Sequence, residues 1–279
     1  MVEKQSALYS GLKDIQAKEF DVFQALLMLF EKYHLKYFIT GGTVLGARYY
    51  KDFIPYDDDI DVCLSRKDYN LFLKKLYKEI PSPYLVEHYS LDEMFKYTII
   101  RVENTSIDIT EVSDPEKKVS HPSIDIAPLD GVPTNLLLRK LYFTRLLVLR
   151  GILTAYYSES INPNKDRSFK EKALISFLRM SGKVSKKLIN PTKVKTSIDK
   201  ILSKYDCQTS VLAGTYMGAY RDREMIPSKI WGRGKRYEFR GIKVRGPEDI
   251  EKYIKTVYGG FKELDETEAM KARHYVIRG

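Results

Sequence analysis

The chain has 279 residues, of which 43% are hydrophobic and 30% charged, with a formal net charge of +10. This composition suits a globular protein with a sizeable core, organised as one large or two small domains. The two cysteines, Cys63 and Cys207, exclude a disulfide framework and a four-cysteine zinc site and fit a reducing, cytoplasmic setting. The first residues lack the apolar core of an export signal, and no run of about 18 uncharged apolar residues occurs, so no transmembrane helix is expected.

In chain order, the spacing of Ile15, Phe20, Phe23, Leu26, Leu27 and Phe30 predicts a helix from Asp14 to about His34. Tyr37 to Thr40 reads as a strand ending in a Gly41-Gly42 turn, and Thr43 to Tyr50 as a short helix. Asp59 to Leu64 alternates as a strand and is followed by a helix from about Lys67 to Ile80, ended by Pro81 and Pro83. Tyr84–Tyr89, Tyr97–Val102 and Ile107–Glu111 are three further expected strands, and Asp114 to Val119 is an expected polar loop. Ser123 to Ala127 is another strand, with Pro128-Leu129-Asp130-Gly131 as a turn after it. Helical spacing then runs from Asn135 to about Tyr157, and returns at Phe169–Arg179 and Val194–Lys204 after a polar break at Ile161–Arg167. Tyr237–Phe239 and Ile242–Val244 flank Arg240-Gly241 and predict a hairpin. Pro247 is expected to open a helix reaching about Tyr258.

The chemistry concentrates in Asp57-Asp58-Asp59-Ile60-Asp61-Val62. Side chains alternate along a strand, so Asp57, Asp59 and Asp61 share one face while Asp58, Ile60, Val62 and Leu64 share the other, which is mostly apolar. A solvated loop or a helix cap is the ordinary meaning of an aspartate run, but the apolar alternation argues against a plain loop. A calcium loop would need glycine and glutamate where this chain has Val62 and Asp68. Carboxylates this close repel one another unless a cation lies between them, and Mg²⁺ suits a few carboxylates plus substrate phosphates. Asp125, between Ile124 and Ile126 on its own strand, is a third candidate ligand; its ordinary reading is a sheet-edge aspartate or one bonded to a loop amide.

Several blocks together resemble the LicD family of the nucleotidyltransferase superfamily. They are Gly41-Gly42-Thr43-Val44-Leu45-Gly46-Ala47, then Phe53-Ile54-Pro55-Tyr56-Asp57-Asp58-Asp59-Ile60-Asp61, and then Arg66-Lys67-Asp68-Tyr69. Asp125 to Pro133, Tyr237-Glu238-Phe239, Tyr253-Ile254 and Tyr258-Gly259 extend the likeness. Tyr49 stands where that family usually has arginine, with Arg48 one place early, and Tyr56 replaces the usual tryptophan. The resemblance implies an α+β fold: a nucleotidyltransferase-like mixed sheet flanked by helices, with a basic helical insertion or subdomain. It implies transfer of a phospho-alcohol, phosphocholine first, from a CDP donor to a glycan, a teichoic acid precursor or a lipid-linked oligosaccharide. It further implies Asp59, Asp61 and Asp125 as ligands of Mg²⁺ or Mn²⁺, with Asp57 as a fourth carboxylate that tunes the site or touches substrate.

On this reading Gly41 and Gly42 let backbone amides approach a phosphate, aided by the helix start behind them, and Thr43 adds a hydroxyl. Asp58 belongs to the same substrate-binding set. Arg48, Lys51 and Arg101 are candidate phosphate contacts, each with solvated surface charge as its plain alternative. Asp57 or Asp61 would take the proton of the attacking hydroxyl. The expected organisation is a catalytic core over residues 1–134, a basic helical segment over 135–206 and a mixed part over 207–279 that packs on the core. From Leu136 to Lys195 there are fourteen Lys and Arg against three acidic residues, a surplus of eleven that exceeds the net charge of the whole chain. Those cations either solvate helices with an apolar core or, with Arg139, Lys140, Arg145 and Arg150 facing outward, lay the segment on the anionic inner face of a membrane. The competing functions are a nucleotidyltransferase using a nucleoside triphosphate, which releases pyrophosphate rather than CMP, and a nucleic-acid-binding module. The last leaves the aspartates unexplained, and no nucleic-acid partner is expected.

Overall fold

A computed structural model of the protein describes residues 11–111, 118–157, 189–218, 221–263 and 275–277. The expected break at 161–167 and helix at 169–179 lie outside these, as does most of the expected loop at 114–119. The fold is α+β, with a mixed sheet and seven α-helices among the described residues.

Helix α1 (Leu12–Lys32) buries Val22, Phe23, Leu26 and Phe30. Strand β1 (Tyr37–Ile39) follows, then a short helix α2 (Gly41–Leu45) that continues as one wide turn over Gly46–Tyr50. Strand β2 (Ile60–Ser65) leads into α3 (Arg66–Lys74), where the Ser65 hydroxyl accepts the Asp68 N–H as an N-terminal cap. A 3₁₀ turn at Leu76–Glu79 finishes the expected helix. Then come β3 (Tyr84–Glu87), β4 (Ile100–Asn104), β5 (Ile109–Glu111), β6 (Val119–Ser120) and β7 (Ser123–Gly131). Helix α4 (Leu136–Tyr156) is capped by Asn135, and α5 (Pro191–Leu202) by Asn190 with Pro191 in its first turn. Beyond them lie β8 (Leu212–Gly214), a 3₁₀ turn at Arg221–Glu224, β9 (Ile226–Pro227) and the short α6 (Ser228–Trp231). The hairpin β10 (Lys235–Phe239) and β11 (Ile242–Gly246), α7 (Ile250–Tyr258) and β12 (Tyr275–Ile277) complete the described chain.

The main sheet runs β1-β2-β7-β4-β3, and β7 also pairs with β8, which pairs with β9. β2 and β7 are parallel and the other pairs antiparallel, so the sheet is mixed. The expected turn at Pro128–Gly131 is instead the second half of β7. Pro128 and Leu129 stay in register with Leu64 and Ser65, and Asp130 and Gly131 pair with β8. The helix expected from Pro247 begins at Ile250, because the Asp249 carboxylate accepts the Lys252 N–H and sets the cap there. The hairpin turn holds Arg240 and Gly241 both at positive φ, which matches its twist to that of the flanking strands.

A large apolar cluster joins α1, the main sheet, the hairpin and α7. A second, smaller one joins Tyr142, Leu146 and Leu153 of α4 to Ile198 and Leu202 of α5 and to Tyr216 and Met225. Tyr142 is buried there and Phe143 stacks on Tyr216, so these aromatics serve packing. The two clusters are bridged by charge. Buried Arg66 donates to both oxygens of buried Asp130 at 2.7 and 2.5 Å and to Asp199 of α5 at 2.6 Å. Removing one partner of a buried ion pair strands the other without solvent. Arg66→Ala is therefore expected to lower unfolding free energy by about 3–5 kcal/mol in urea titration; a loss under about 1 kcal/mol would contradict the bridge.

Candidate active site

The glycine turn and β2 are built around each other. Gly41 has φ +58°, and a Cβ placed on it would lie 2.1 Å from Asp61 Oδ2. A Cβ on Gly42 would lie 2.6 Å from Asp57 Oδ2. The glycines thus leave room for two carboxylates to press against the turn. The Thr40 N–H donates to the Asp61 carbonyl, and the Asp61 N–H donates to the Thr43 hydroxyl at 2.8 Å. From α7 the Tyr253 hydroxyl meets the Thr40 hydroxyl at 2.8 Å and accepts the Gly41 N–H at 3.0 Å.

The alternation extends from Asp58 through Val62: Asp58, Ile60 and Val62 are buried, while Asp57, Asp59 and Asp61 line a cavity of about 570 Å³. Asp125 lines it too, because β2 and β7 pair with Asp61 directly opposite Asp125. Glu224, from the 3₁₀ turn before β9, is a fifth carboxylate. Among the described residues no Lys, Arg or His lines this cavity. Tyr56, Tyr97, Tyr253 and Tyr258 do.

This concentration of negative charge shows in the titration of Asp61. Burial pushes its pKa well above the usual carboxylate range, and Asp59, Asp125 and Asp57 push it further. Glu19 of α1 is raised likewise, by burial first and then by Asp59, Asp58 and Asp57, and its Oε2 has no hydrogen-bond partner. Arg101, opposite Asp125 across β4 and β7, is the countercharge on this wall. It donates to both Asp125 oxygens at 2.8 and 2.9 Å and lies 4.8 Å from the centre of the Tyr97 ring.

A divalent cation fits this donor set, which offers several hard carboxylate oxygens in one cavity. Among the described residues, the trio whose carboxylate oxygens lie within 4.8 Å of one another is Asp57, Asp58 and Asp59. The expected trio Asp59, Asp61 and Asp125 shares the cavity but is not drawn into one such cluster, with Asp125 bonded to Arg101.

Other expected contacts are redirected. Asp58 is buried away from the cavity and its Oδ2 accepts the Tyr275 N–H of β12 at 2.8 Å. Thr43 is buried and its hydroxyl serves the Asp61 N–H, and the Gly41 N–H is taken by Tyr253. The turn therefore shapes carboxylates rather than offering that amide to a phosphate. Arg48 pairs with Glu251 and Lys51 with Glu238, both on the exposed surface and outside the cavity lining. Arg101 is committed to Asp125. Sequence reasoning missed Glu19, Tyr97, Thr215 and Glu224 as neighbours of the site. Glu224 lies 163 residues beyond Asp61 with no local pattern around it, whereas Tyr253 stood in a recognised block without an assigned role.

A strand-borne Asp-x-Asp facing a glycine turn, with a further acid on the adjacent parallel strand, is the arrangement that the resemblance to nucleotidyltransferase-type domains implies. Residues 34–145 match the family model described as "LicD/FKTN/FKRP, nucleotidyltransferase domain". Over 262 residues the chain is 25% identical to the lipopolysaccharide cholinephosphotransferase LicD of Haemophilus influenzae, with 91% of each chain covered. Over residues 34–145 the chain is thus similar to the LicD family, and its likeness to the Haemophilus influenzae protein extends along most of its length.

Proposed function

We propose that the protein is a metal-dependent transferase that moves phosphocholine from CDP-choline to a sugar hydroxyl of a cell-surface glycan or teichoic acid precursor, releasing CMP. The observation that carries this is a cavity lined by five carboxylates and, among the described residues, by no Lys, Arg or His, with Arg101 set behind Asp125 as a countercharge. A pyrophosphate ester is repelled by such a wall on its own and accommodated when Mg²⁺ or Mn²⁺ enters with it. Asp59, Asp61 and Asp125 are the proposed ligands, and the bound metal would supply charge neutralisation at the pyrophosphate. Arg101 is a positioning residue that fixes the orientation of the Asp125 carboxylate through two hydrogen bonds.

In the transfer, the acceptor oxygen attacks the choline-bearing phosphorus in line. The bond from that phosphorus to the bridging oxygen breaks, and CMP leaves with the bridging oxygen. The hydroxyl proton passes to a cavity carboxylate, with Asp57 and Asp61 the candidates within the aspartate run. Tyr56, Tyr97 and Tyr258 supply aromatic faces suited to a quaternary ammonium. The Haemophilus influenzae relative is a lipopolysaccharide cholinephosphotransferase, which supports phosphocholine as the group moved and a glycan as the acceptor.

The test is to incubate the purified protein with Mg²⁺ and CDP-choline, CDP-ribitol or CDP-glycerol, with and without a glycolipid acceptor, and to measure CMP. The expected result is acceptor-stimulated CMP release, greatest with CDP-choline and abolished by EDTA. Release indifferent to EDTA removes the metal role. Pyrophosphate from a nucleoside triphosphate, with no CMP from any CDP-alcohol, overturns the reading in favour of nucleotidyl transfer.

A further inference from the structure

Helix α4 is a 21-residue element with two apolar faces, only one of which packs on the other described residues. Tyr142, Leu146 and Leu153 point into the second core. On the opposite side Leu137, Leu141 and Val148 follow one line up the helix and are 76%, 49% and 56% exposed. Leu136, Leu138 and Leu147 widen the patch and are exposed as well. An exposed aliphatic face of this kind is uncommon on a monomeric protein and marks a contact surface.

At 100° per residue, Lys140 and Arg145 fall on the two flanks of this line. Both are exposed. The other two cations of the helix are used internally. Arg139 donates to the carbonyls of Pro133 and Thr134, and Arg150 to those of Tyr216 and Gly218. The expectation that all four face outward is therefore corrected to two. There is no acidic residue anywhere from Gly131 to Ser158.

We propose that this face of α4 lies on an anionic lipid bilayer. Aliphatic side chains sink into the headgroup boundary, and the long stems of Lys140 and Arg145 reach out to lipid phosphates at either edge. The pattern fits lipid better than a protein partner, whose contact core is enriched in aromatics. It also disfavours a second copy of this chain, since a two-fold pairing of this face brings like charges together. The same helix connects the surface to the chemistry. Arg150, Leu153, Thr154 and Tyr157 line a cavity of about 380 Å³ that shares Tyr97, Ile99 and Met217 with the carboxylate cavity. Granted the transfer reaction above, a lipid-linked acceptor held in the bilayer beside α4 reaches the carboxylates along this route. The docking itself does not depend on that reaction. No described helix is long and apolar enough to cross a membrane, so contact is along the surface.

The experiment is co-sedimentation of the full chain with vesicles of phosphatidylcholine, alone or mixed with phosphatidylglycerol. Binding is expected only with phosphatidylglycerol and is expected to weaken as salt rises. A Leu137→Gln, Leu141→Gln, Val148→Gln triple variant should lose at least tenfold in partitioning. Lys140→Glu with Arg145→Glu should abolish the preference for anionic vesicles, a single Lys or Arg near the surface being worth about fivefold. In both variants, CMP release with a soluble acceptor should be unchanged, which separates this proposal from the transfer reaction. Vesicle binding indifferent to phosphatidylglycerol, or retained in the triple variant, overturns the proposal. So does a triple variant whose melting temperature falls sharply, since that means another part of this same chain covers the face.

Discussion

Asp61→Asn is expected to reduce phosphocholine transfer by about a thousandfold or more while leaving the fold intact. A thousandfold corresponds to about 4 kcal/mol of transition-state stabilisation, within the several kcal/mol that a metal clamp on a phosphoryl group provides. Asp61 is held on three sides: its N–H is bonded to Thr43, its carbonyl to Thr40, and its side chain fits against Gly41. Asparagine keeps that shape and removes the charge. The stability of the metal-free protein should move the other way. Asp61 is an acid whose folded pKa is raised, by burial first and by neighbouring aspartates next. Such a group stabilises the fold below its unfolded pKa and loses that contribution as pH climbs toward the folded value. The variant escapes this loss, so near neutral pH without metal its melting temperature should equal or exceed that of the parent. Added Mg²⁺ should raise the parent's melting temperature and not the variant's. Near-normal turnover in the variant would refute the metal assignment.

Gly41→Ala is expected to be the second most damaging change, through geometry rather than charge. At φ +58° an alanine backbone is strained by about 1–2 kcal/mol. Its methyl group would also sit 2.1 Å from Asp61 Oδ2, so the carboxylate must move by more than an ångström. Displacement of that order costs about a hundredfold in rate where a reaction depends on alignment. Gly259→Ala is the matched control: φ is +82° at the end of α7, and a Cβ there meets nothing within 4 Å. It should show the loss of stability, read in urea titration, and retain the transfer rate. Equal rates in the two variants would mean that the turn does not shape the site.

How much of this was legible in the sequence differs from residue to residue. The separation of Asp57, Asp59 and Asp61 from Asp58, Ile60 and Val62 was readable because the strand pleat has a period of two, which depends on nothing beyond the segment itself. The Arg240-Gly241 hairpin was readable for the same kind of reason, since the turn carries its own conformational requirement. Asp125 was found as a charged residue between apolar ones, but its neighbours were not: Arg101 meets it across one strand pair and Asp61 across another. Register between strands 24 and 64 residues apart is set by how whole faces pack, and no local spacing states it. The same limit explains Arg48, Lys51 and Arg101. As isolated cations near the motif they suited a phosphate equally well, and only the positions of Glu251, Glu238 and Asp125 assign them elsewhere.

By itself, then, the sequence determined which aspartates share a face, where the hairpin turns and which segment carries an unbalanced basic charge. Those properties follow from bonds and periods within a few residues. Tertiary structure alone decided that Glu224 joins the carboxylate cavity, that Tyr253 reaches the glycine turn, that Asp58 turns to Tyr275 and that the second apolar face of α4 stays exposed among the described residues. Each of these depends on segments brought together from far along the chain, where burial and pairing, not local preference, select the partner.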